Sequence, residues 1–572
     1  MRSLAEVRVL PASTQKGNAE KYPSYRAIAF ICIIGTALAA IRITGHPDLM
    51  DNEQQLQSAY VMDALQNHHW ICQRDETGDI TSKPPLYTWL AALSNLPFHR
   101  ITRVATSFPS MASTIGLALI LLALGRRHFG ELAGLCAALT YLTSFWILRQ
   151  IGLSRMDGLF PFVVTLAAWA AFRAWITGRG WIWFWLASAA ATLTKAPVGL
   201  LVGAAGLLAA FWERSPSPGR GPLRQHAIGT SLFLLITAGW FAASCIAMGS
   251  DVYHKLILDE LVRHLVRKDS GILPGQHFYI PPAQFLSRFL PWSLLACIAG
   301  WRLWNQPSSK PSIRRFERFI FFWLAGGMIP FCIATHQRAD LLLPLCPPAA
   351  LLAGRELARF LHPMNANLRR AFLAAVVASG FIVATLKYQF FSPRHPAVRM
   401  TIDVRQAARS IEKAGGEEFP LTHVAGSPYA LQFYLNTMRP LVKEWRALRL
   451  LEGDEAAFII TANTENIMPT LNPRTAHELL HVPLVEHELQ LISNRSEIRQ
   501  EDRMVMAVGA LDIHTRGLRW IHAAQTDFTF SGKGSVRFVN TSDAEVRVRV
   551  VVGRAEKSGS VAAHGELSLE VP

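Results

Sequence analysis

Charged side chains are what this sequence has least of. Asp, Glu, Lys and Arg make up 17% of its 572 residues, against about 25% in an ordinary soluble chain. Cysteine is scarce as well, at seven. Cys32, Cys136, Cys245, Cys297, Cys332 and Cys346 lie in or beside apolar runs, where Cys behaves as a small hydrophobe, and only Cys72 falls in a polar loop. No CxxC pair occurs, which excludes a disulfide framework and a thiolate metal site. A P-loop and a glycine-rich phosphate cradle are also missing, which disfavours a soluble nucleotide donor. The net charge of +16 is not arranged as a basic stripe interleaved with aromatics, so nucleic acid is excluded as a partner.

What the sequence does have is apolar length. A membrane span needs about 20 mostly apolar residues. Candidate runs occupy 27–44, 102–124, 131–148, 158–176, 181–194, 197–212, 229–249, 284–304, 318–335, 341–358 and 371–390. The fold class expected is therefore an α-helical polytopic membrane protein of about eleven transmembrane helices, with the lipid bilayer as its first partner. More than 20 polar residues precede the first run and no small-residue cleavage site follows it, so 27–44 reads as a retained span.

The Lys and Arg residues at the run ends orient the chain. With the N-terminus inside, Arg126/Arg127, Arg179, Arg214/Arg220/Arg224, Lys310/Arg314/Arg315 and Arg369/Arg370 share one side. The loops of the other side mix acids, His and bases. Four domains are expected: an inner segment 1–26, a membrane domain 27–390, an outer α/β domain 391–500 and a β-rich subdomain 501–572. In the first outer loop, helical spacing predicts helices over Asn52–Gln66 and Pro84–Leu96, the second too short to span and lying along the interface. Beyond Ser392-Pro393 the pattern predicts helices at Ile402–Lys413 and Tyr429–Asn436. Strands are expected at Phe419–Ala425, Ala457–Thr461, Ser535–Val539 and Ala544–Val551.

The chemistry concentrates in four outer elements: Asp51-Asn52-Glu53, Ser82-Lys83-Pro84-Pro85-Leu86-Tyr87, Ser154-Arg155-Met156-Asp157, and His264-Leu265-Val266-Arg267 with the later His277 and Pro291-Trp292-Ser293. A carboxylate at the membrane boundary can act as a general base toward a hydroxyl or amine. Lys83 and Arg267 can hold a phosphate by charge-assisted hydrogen bonds. The Pro-terminated apolar stretch beside Lys83 sets that cation at headgroup depth, which suits a lipid-linked phosphate. Singly, each element has a bland reading: Asp51 as an N-cap, Lys83 as a snorkelling lysine, Arg155 and Asp157 as a surface pair. His264 and His277 read equally as ordinary loop residues, Arg338 as an interface anchor or a phosphate contact. Trp146, Trp181 and Trp301 read first as aromatic-belt residues. Coincidence on one face favours function. A secondary transporter would place ionisable groups near mid-span or show repeated halves, and the sequence does neither.

The order of acidic motif, KPPLYTW, R-x-D, HxxR and PWS around these spans resembles the GT-C glycosyltransferases over roughly residues 27–390. The resemblance is nearest to their aminoarabinose-transferase and protein-mannosyltransferase branch. It implies an inverting transfer of a sugar from polyprenyl phosphate to a lipid, glycan or protein acceptor on the outer face of the plasma membrane. It also implies catalytic acids at Asp51 or Glu53 and at Asp157. Substrate-binding roles fall to Lys83, Arg155, Arg267, Tyr87 and Arg338, and a metal-site role for a divalent ion falls to His264. Ser82 stands where the family often carries a metal-binding Glu, and Asp51-Asn52-Glu53 replaces an adjacent Asp-Glu pair. A non-catalytic assembly partner with the same fold is the alternative those departures raise.

Overall fold

The structure is a computed structural model that describes residues 24–46, 49, 52–98, 100–195, 197–213, 221–262, 275–335, 337–415, 421–424, 429–439, 441–453, 457–462, 476–483, 488–497, 534–539, 546–552, 555–561 and 566–571. Among these, seven helices are long and apolar enough to cross a membrane: Tyr25–Thr44, Arg103–Phe129, Met156–Thr177, Leu223–Met248, Pro311–Ile333, Ala339–Leu361 and Ala366–Arg394. The remaining apolar runs are helical too, but short or broken. In lipid, an unsatisfied backbone group costs several kcal/mol, so each apolar run closes its own hydrogen bonds as helix.

The elements that build the site come early in the chain. They are α1 (Tyr25–Thr44), α2 (Asn52–Gln66), α3 (Leu86–Asn95), α4 (Arg103–Phe129), α5 (Glu131–Leu142), α6 (Phe145–Gln150), α7 (Met156–Thr177) and α8 (Trp181–Lys195). Ser24 caps α1 by accepting from the Ala27 amide, and Thr102 caps α4 by accepting from Ala105. At its other end α1 has orphan carbonyls, and the Arg103 guanidinium donates to two of them, Ile43 and Gly45, at 3.1 Å each. The predicted helix 52–66 matches α2. The predicted 84–96 segment forms α3, which buries Tyr87, Thr88, Ala91, Ala92 and Asn95 against the bundle.

Two predicted spans are interrupted. The run 131–148 breaks at Thr143-Ser144 between α5 and α6, and 284–304 divides into Ile280–Arg288 and Trp292–Asn305. Elsewhere helices touch backbone to backbone. A Cβ on Gly134 would lie 2.3 Å from the Leu122 carbonyl oxygen, and one on Gly354 would lie 2.4 Å from the Ala137 amide nitrogen. Small residues allow such packing where no hydrophobic drive separates helix from lipid. At the end of the bundle beside His128, Glu213, Glu317 and Glu356 are buried among Arg302, Arg314, Arg315, Arg318, Arg355 and Arg359. His128 stacks on Phe316 there at 3.8 Å.

After the last span, the helix Pro396–Gly415 leads into a four-stranded sheet of β1 (Thr422–His423), β2 (Phe458–Thr461), β3 (His477–Pro483) and β4 (Glu488–Ser493), in the order β1-β2-β4-β3. β1 and β2 run parallel with Thr422 opposite Ile459, while β4 is antiparallel to β2 and β3. The helix at Glu444–Glu452 and strands β3 and β4 had no expected counterpart. Four further strands, β5 (Gly534–Val539), β6 (Val546–Val552), β7 (Ala555–Val561) and β8 (Glu566–Val571), pair as β5–β8 and β6–β7.

The α/β unit grips the segment between α1 and α4. Gln66, at the end of α2, donates to the Asn436 carbonyl and accepts from the Met438 amide, both at 2.7 Å. The Ile101 amide donates to Asn436 Oδ1 at 2.9 Å, and Arg100 pairs with Glu412. Leu49, Ala59 and Met62 join Leu431, Phe433 and Leu435 in one apolar cluster. Glu76 is buried in this joint. Its carboxylate oxygen accepts from Gln432 Nε2 at 3.3 Å, and its carbonyl accepts from the Leu441 amide at 2.9 Å.

Burial, and then the neighbouring Asp75, push the Glu76 carboxyl up to about 8. The unfolded chain ionises this group near 4.5. Between those two values the folded protein holds a proton that the unfolded chain has lost. Stability therefore falls as pH rises through that window and levels off above it. Glu76→Gln, which stays neutral, should raise the melting temperature at pH 8 by several degrees. The gap should close toward pH 5, as read by differential scanning fluorimetry.

Candidate active site

Asp157 sits in the first turn of α7, and Lys195 closes the last turn of α8. An acid suits a helix N-terminus and a cation suits a C-terminus, and the antiparallel arrangement of the two helices brings these ends together. Asp157 Oδ1 pairs with Lys195 Nζ. Its Oδ2 lies 2.8 Å from Arg155 Nη2. The Asp157 side chain is 2% exposed and Arg155 is 3% exposed, so this is a buried ion cluster. Gly158 makes room for it: a Cβ there would come within 2.8 Å of Ser110 Cβ on α4.

From that base the network climbs to the surface. Arg155 also pairs with Glu53 of α2, and Glu53 pairs through its other oxygen with Arg338. Glu53 is 35% exposed and Arg338 50% exposed. Arg155 reaches Asp340 at 3.5 Å, and Asp340 accepts from Trp146 Nε1 at 3.2 Å and Gln150 Nε2 at 3.4 Å. Three carboxylates (Glu53, Asp157, Asp340) thus interlock with three cations (Arg155, Lys195, Arg338) in one gradient from buried to accessible.

Three neighbours hold the frame. Gln57 of α2 donates to Thr88 of α3 at 2.7 Å. The Ser154 amide lies 3.4 Å from Gln54 Oε1, and Ser110 donates to the Arg155 carbonyl at 2.8 Å. The Tyr87 hydroxyl lies 3.0 Å from the Thr106 carbonyl, 3.3 Å from the Leu153 carbonyl and 3.2 Å from Ser110 Oγ. Tyr87 was expected to bind substrate. It is wholly buried, so its hydroxyl ties the Lys83 loop to the Arg155 loop instead of facing a ligand. Lys83 itself is half-buried at the start of that loop, where its backbone exchanges hydrogen bonds with Thr81.

Of the sequence candidates, Glu53, Arg155, Asp157 and Arg338 are brought together directly. Asp51, His264 and Arg267 lie outside the described residues. Ser293 of the PWS motif donates to the Leu286 carbonyl at 2.7 Å and is buried, a local bond that shapes the chain between two short helices. Trp146 and Trp181 are buried, against the belt reading, whereas Trp301 is exposed in keeping with it. Sequence reasoning missed Lys195 and Asp340. Lys195 stands one residue beyond the short apolar run 181–194, with no acid near it in sequence. Asp340 carried a usable signal: Arg338-Ala339-Asp340 repeats the R-x-D spacing of Arg155-Met156-Asp157.

A divalent metal does not fit these side chains. Among the described residues no group of three or more His, Cys, Asp and Glu is poised to hold one. Each acid of the network already faces an Arg or Lys, which leaves no surplus negative charge for a cation.

Apolar helices, with a buried ion cluster where several of them end on one face, define an integral membrane protein. Its form is the ArnT-like one. Residues 82–240 match the family model for dolichyl-phosphate-mannose-protein mannosyltransferase. The chain is 23% identical over 301 residues to undecaprenyl phosphate-alpha-4-amino-4-deoxy-L-arabinose arabinosyl transferase 2 of Pseudomonas fluorescens (strain Pf0-1). That match takes in 51% of this chain and 53% of the relative, so it spans about half the relative's length. The crystal structure of ArnT from Cupriavidus metallidurans bound to undecaprenyl phosphate superposes with a TM-score of 0.64 at 16% identity, covering 82% of this chain and 98% of that one. The apo state of the same protein gives 0.59 at 15% identity, covering 82% and 97%.

Removing one member of a buried ion cluster costs about 3–5 kcal/mol, because the partner stays buried with its charge unmatched. Asp157→Asn should therefore lower the melting temperature sharply. Adding Lys195→Met to it should recover part of the loss, as measured by thermal aggregation of the detergent-solubilised protein.

Proposed function

We propose that this protein transfers a sugar from a polyprenyl-phosphate carrier to a hydroxyl or amine acceptor on the outer face of a bacterial plasma membrane. The observation that carries this reading is the ion network. It offers an accessible carboxylate, Glu53, over a buried, charge-compensated base, with cations at the same mouth. The similarity to arabinosyl and mannosyl transferases and the ArnT-like fold support it. The N-terminus is assigned to the inner side and residues 391–500 to the outer side, on the distribution of Lys and Arg.

The transfer is a single displacement with inversion. A carboxylate, Glu53 or Asp51, accepts the acceptor's proton as its oxygen or nitrogen attacks the anomeric carbon. The bond from that carbon to the phosphate oxygen breaks, and its electron pair leaves with the polyprenyl phosphate. Lys83, Arg338 and Arg267 stabilise the charge that develops on the leaving phosphate. Arg338 suits this role because it is half exposed and can turn from Glu53 to a phosphate. Asp157 acts beneath, fixing the direction in which Arg155 presents its guanidinium to Glu53. No step needs a metal ion.

Membrane vesicles holding the full chain, given isotopically labelled polyprenyl-phosphate sugar, test the proposal. Lys83→Ala and Glu53→Gln should each cut transfer about 100-fold or more while membrane insertion is unchanged. Undiminished transfer in both variants would overturn it.

A further inference from the structure

At the end of α7 away from the ion network, the helix forms a groove with the start of α8. α7 has 22 residues, which at about 1.5 Å each separates the two ends by about 33 Å. The groove encloses about 620 Å³ between one face of α7 and one face of α8. Leu166, Ala170 and Arg173 lie at helical spacing on the first face, and Trp183 and Leu186 on the second. Gly178 ends α7 with φ +69° and Gly180 follows at φ +92°. These left-handed positions turn the chain within three residues, and they open the cleft without side chains across its mouth.

The chemistry of the groove is graded. Its depth is apolar. Its mouth carries Arg173 and Arg179, both exposed, and neither pairs with a carboxylate among the described residues. Arg127 stands beside them, 5.9 Å over the Trp169 ring. Trp169 lines the cleft, and Trp183 beside it is 69% exposed. The amides of Gly180 and Trp181 at the start of α8 are already taken by Gln225 Oε1, at 2.7 and 3.2 Å. The free donors at this mouth are therefore guanidiniums. Unmatched cations above an apolar slot, with an exposed indole on its wall, complement a molecule that is anionic at one end and oily at the other.

We infer that this groove is a binding site for an anionic glycerophospholipid of the leaflet opposite the ion network. Its phosphodiester sits between Arg173 and Arg179, and its upper acyl carbons lie against Leu166 and Leu186. A free anion would use only the mouth and leave the apolar depth without a partner. The site is separate from the one assigned to the polyprenyl phosphate and does not depend on that assignment.

Native mass spectrometry of the detergent-purified full chain, titrated with phosphatidylglycerol and phosphatidylcholine, tests this. Phosphatidylglycerol should be retained preferentially. Each cation near a headgroup contributes about 1 kcal/mol, so Arg173→Gln with Arg179→Gln should weaken retention at least about tenfold. The paired change Arg369→Gln with Arg370→Gln, at basic residues outside the groove, should leave it unchanged. Equal retention of the two lipids, equal loss from both arginine pairs, or displacement of the lipid by millimolar inorganic phosphate would overturn the assignment. A second measurement guards against misfolding. In nanodiscs, brominated phosphatidylglycerol should quench tryptophan emission more than brominated phosphatidylcholine, and Trp183→Phe should remove most of that difference. An undiminished difference in Trp183→Phe would count against the groove.

Discussion

The constraint on which the rest depends is the burial of Asp157. A carboxylate withdrawn from water carries a desolvation cost of several kcal/mol that only close, well-oriented cations offset. Here two of them do so from different directions. Lys195 arrives from the end of α8, and Arg155 comes from the extended residue before α7. Satisfying Asp157 thus fixes the α7–α8 pairing and the path of the 151–155 loop together. Gly158 then lets α4 close over the same point. Arg155, once anchored, has donors left for Glu53 and Asp340, and through them α2 and the 338–345 segment are drawn into register.

Much of this was legible in the sequence, for identifiable reasons. All eleven apolar runs form helix, because a chain in lipid has no other local way to pair its backbone. The breaks at Thr143-Ser144 and ahead of Trp292 were not legible. They fall inside apolar runs, where hydropathy is blind to a turn. Glu53, Arg155 and Asp157 were found because charge beside a span is conspicuous. Lys195 and Asp340 escaped because their significance lies in pairing across 38 and 185 residues of chain (from 157 to 195 and from 155 to 340). Tyr87 and Trp146 were misassigned for a related reason. An aromatic at the end of an apolar stretch looks the same whether it faces headgroups or a buried carbonyl or carboxylate, and only packing separates the two.

α2 has a double attachment that links the site to the soluble unit. Glu53 near its start is held by Arg155 and Arg338, while Gln66 at its end is held by the backbone at Asn436 and Met438. Between them, Ala59 and Met62 pack into the core of the α/β unit. A rotation of α2 about its axis would break both attachments at once. The orientation of the accessible carboxylate is therefore set jointly by the membrane domain and the sheet domain, which gives the second a positioning role through α2.

The two ends of the bundle treat charge differently. Around Asp157 the described acids and cations match three to three, so the cluster is electrically closed, with its buried members fixed and Arg338 half exposed at its edge. At the other end, three buried glutamates face six arginines, and Arg173 and Arg179 add cations that pair with no carboxylate among the described residues. At a bilayer surface the anionic lipid headgroups can balance such a surplus. Around Asp157, by contrast, the buried charges are each held in one place. Matched pairs achieve that because moving any one member exposes another that is buried.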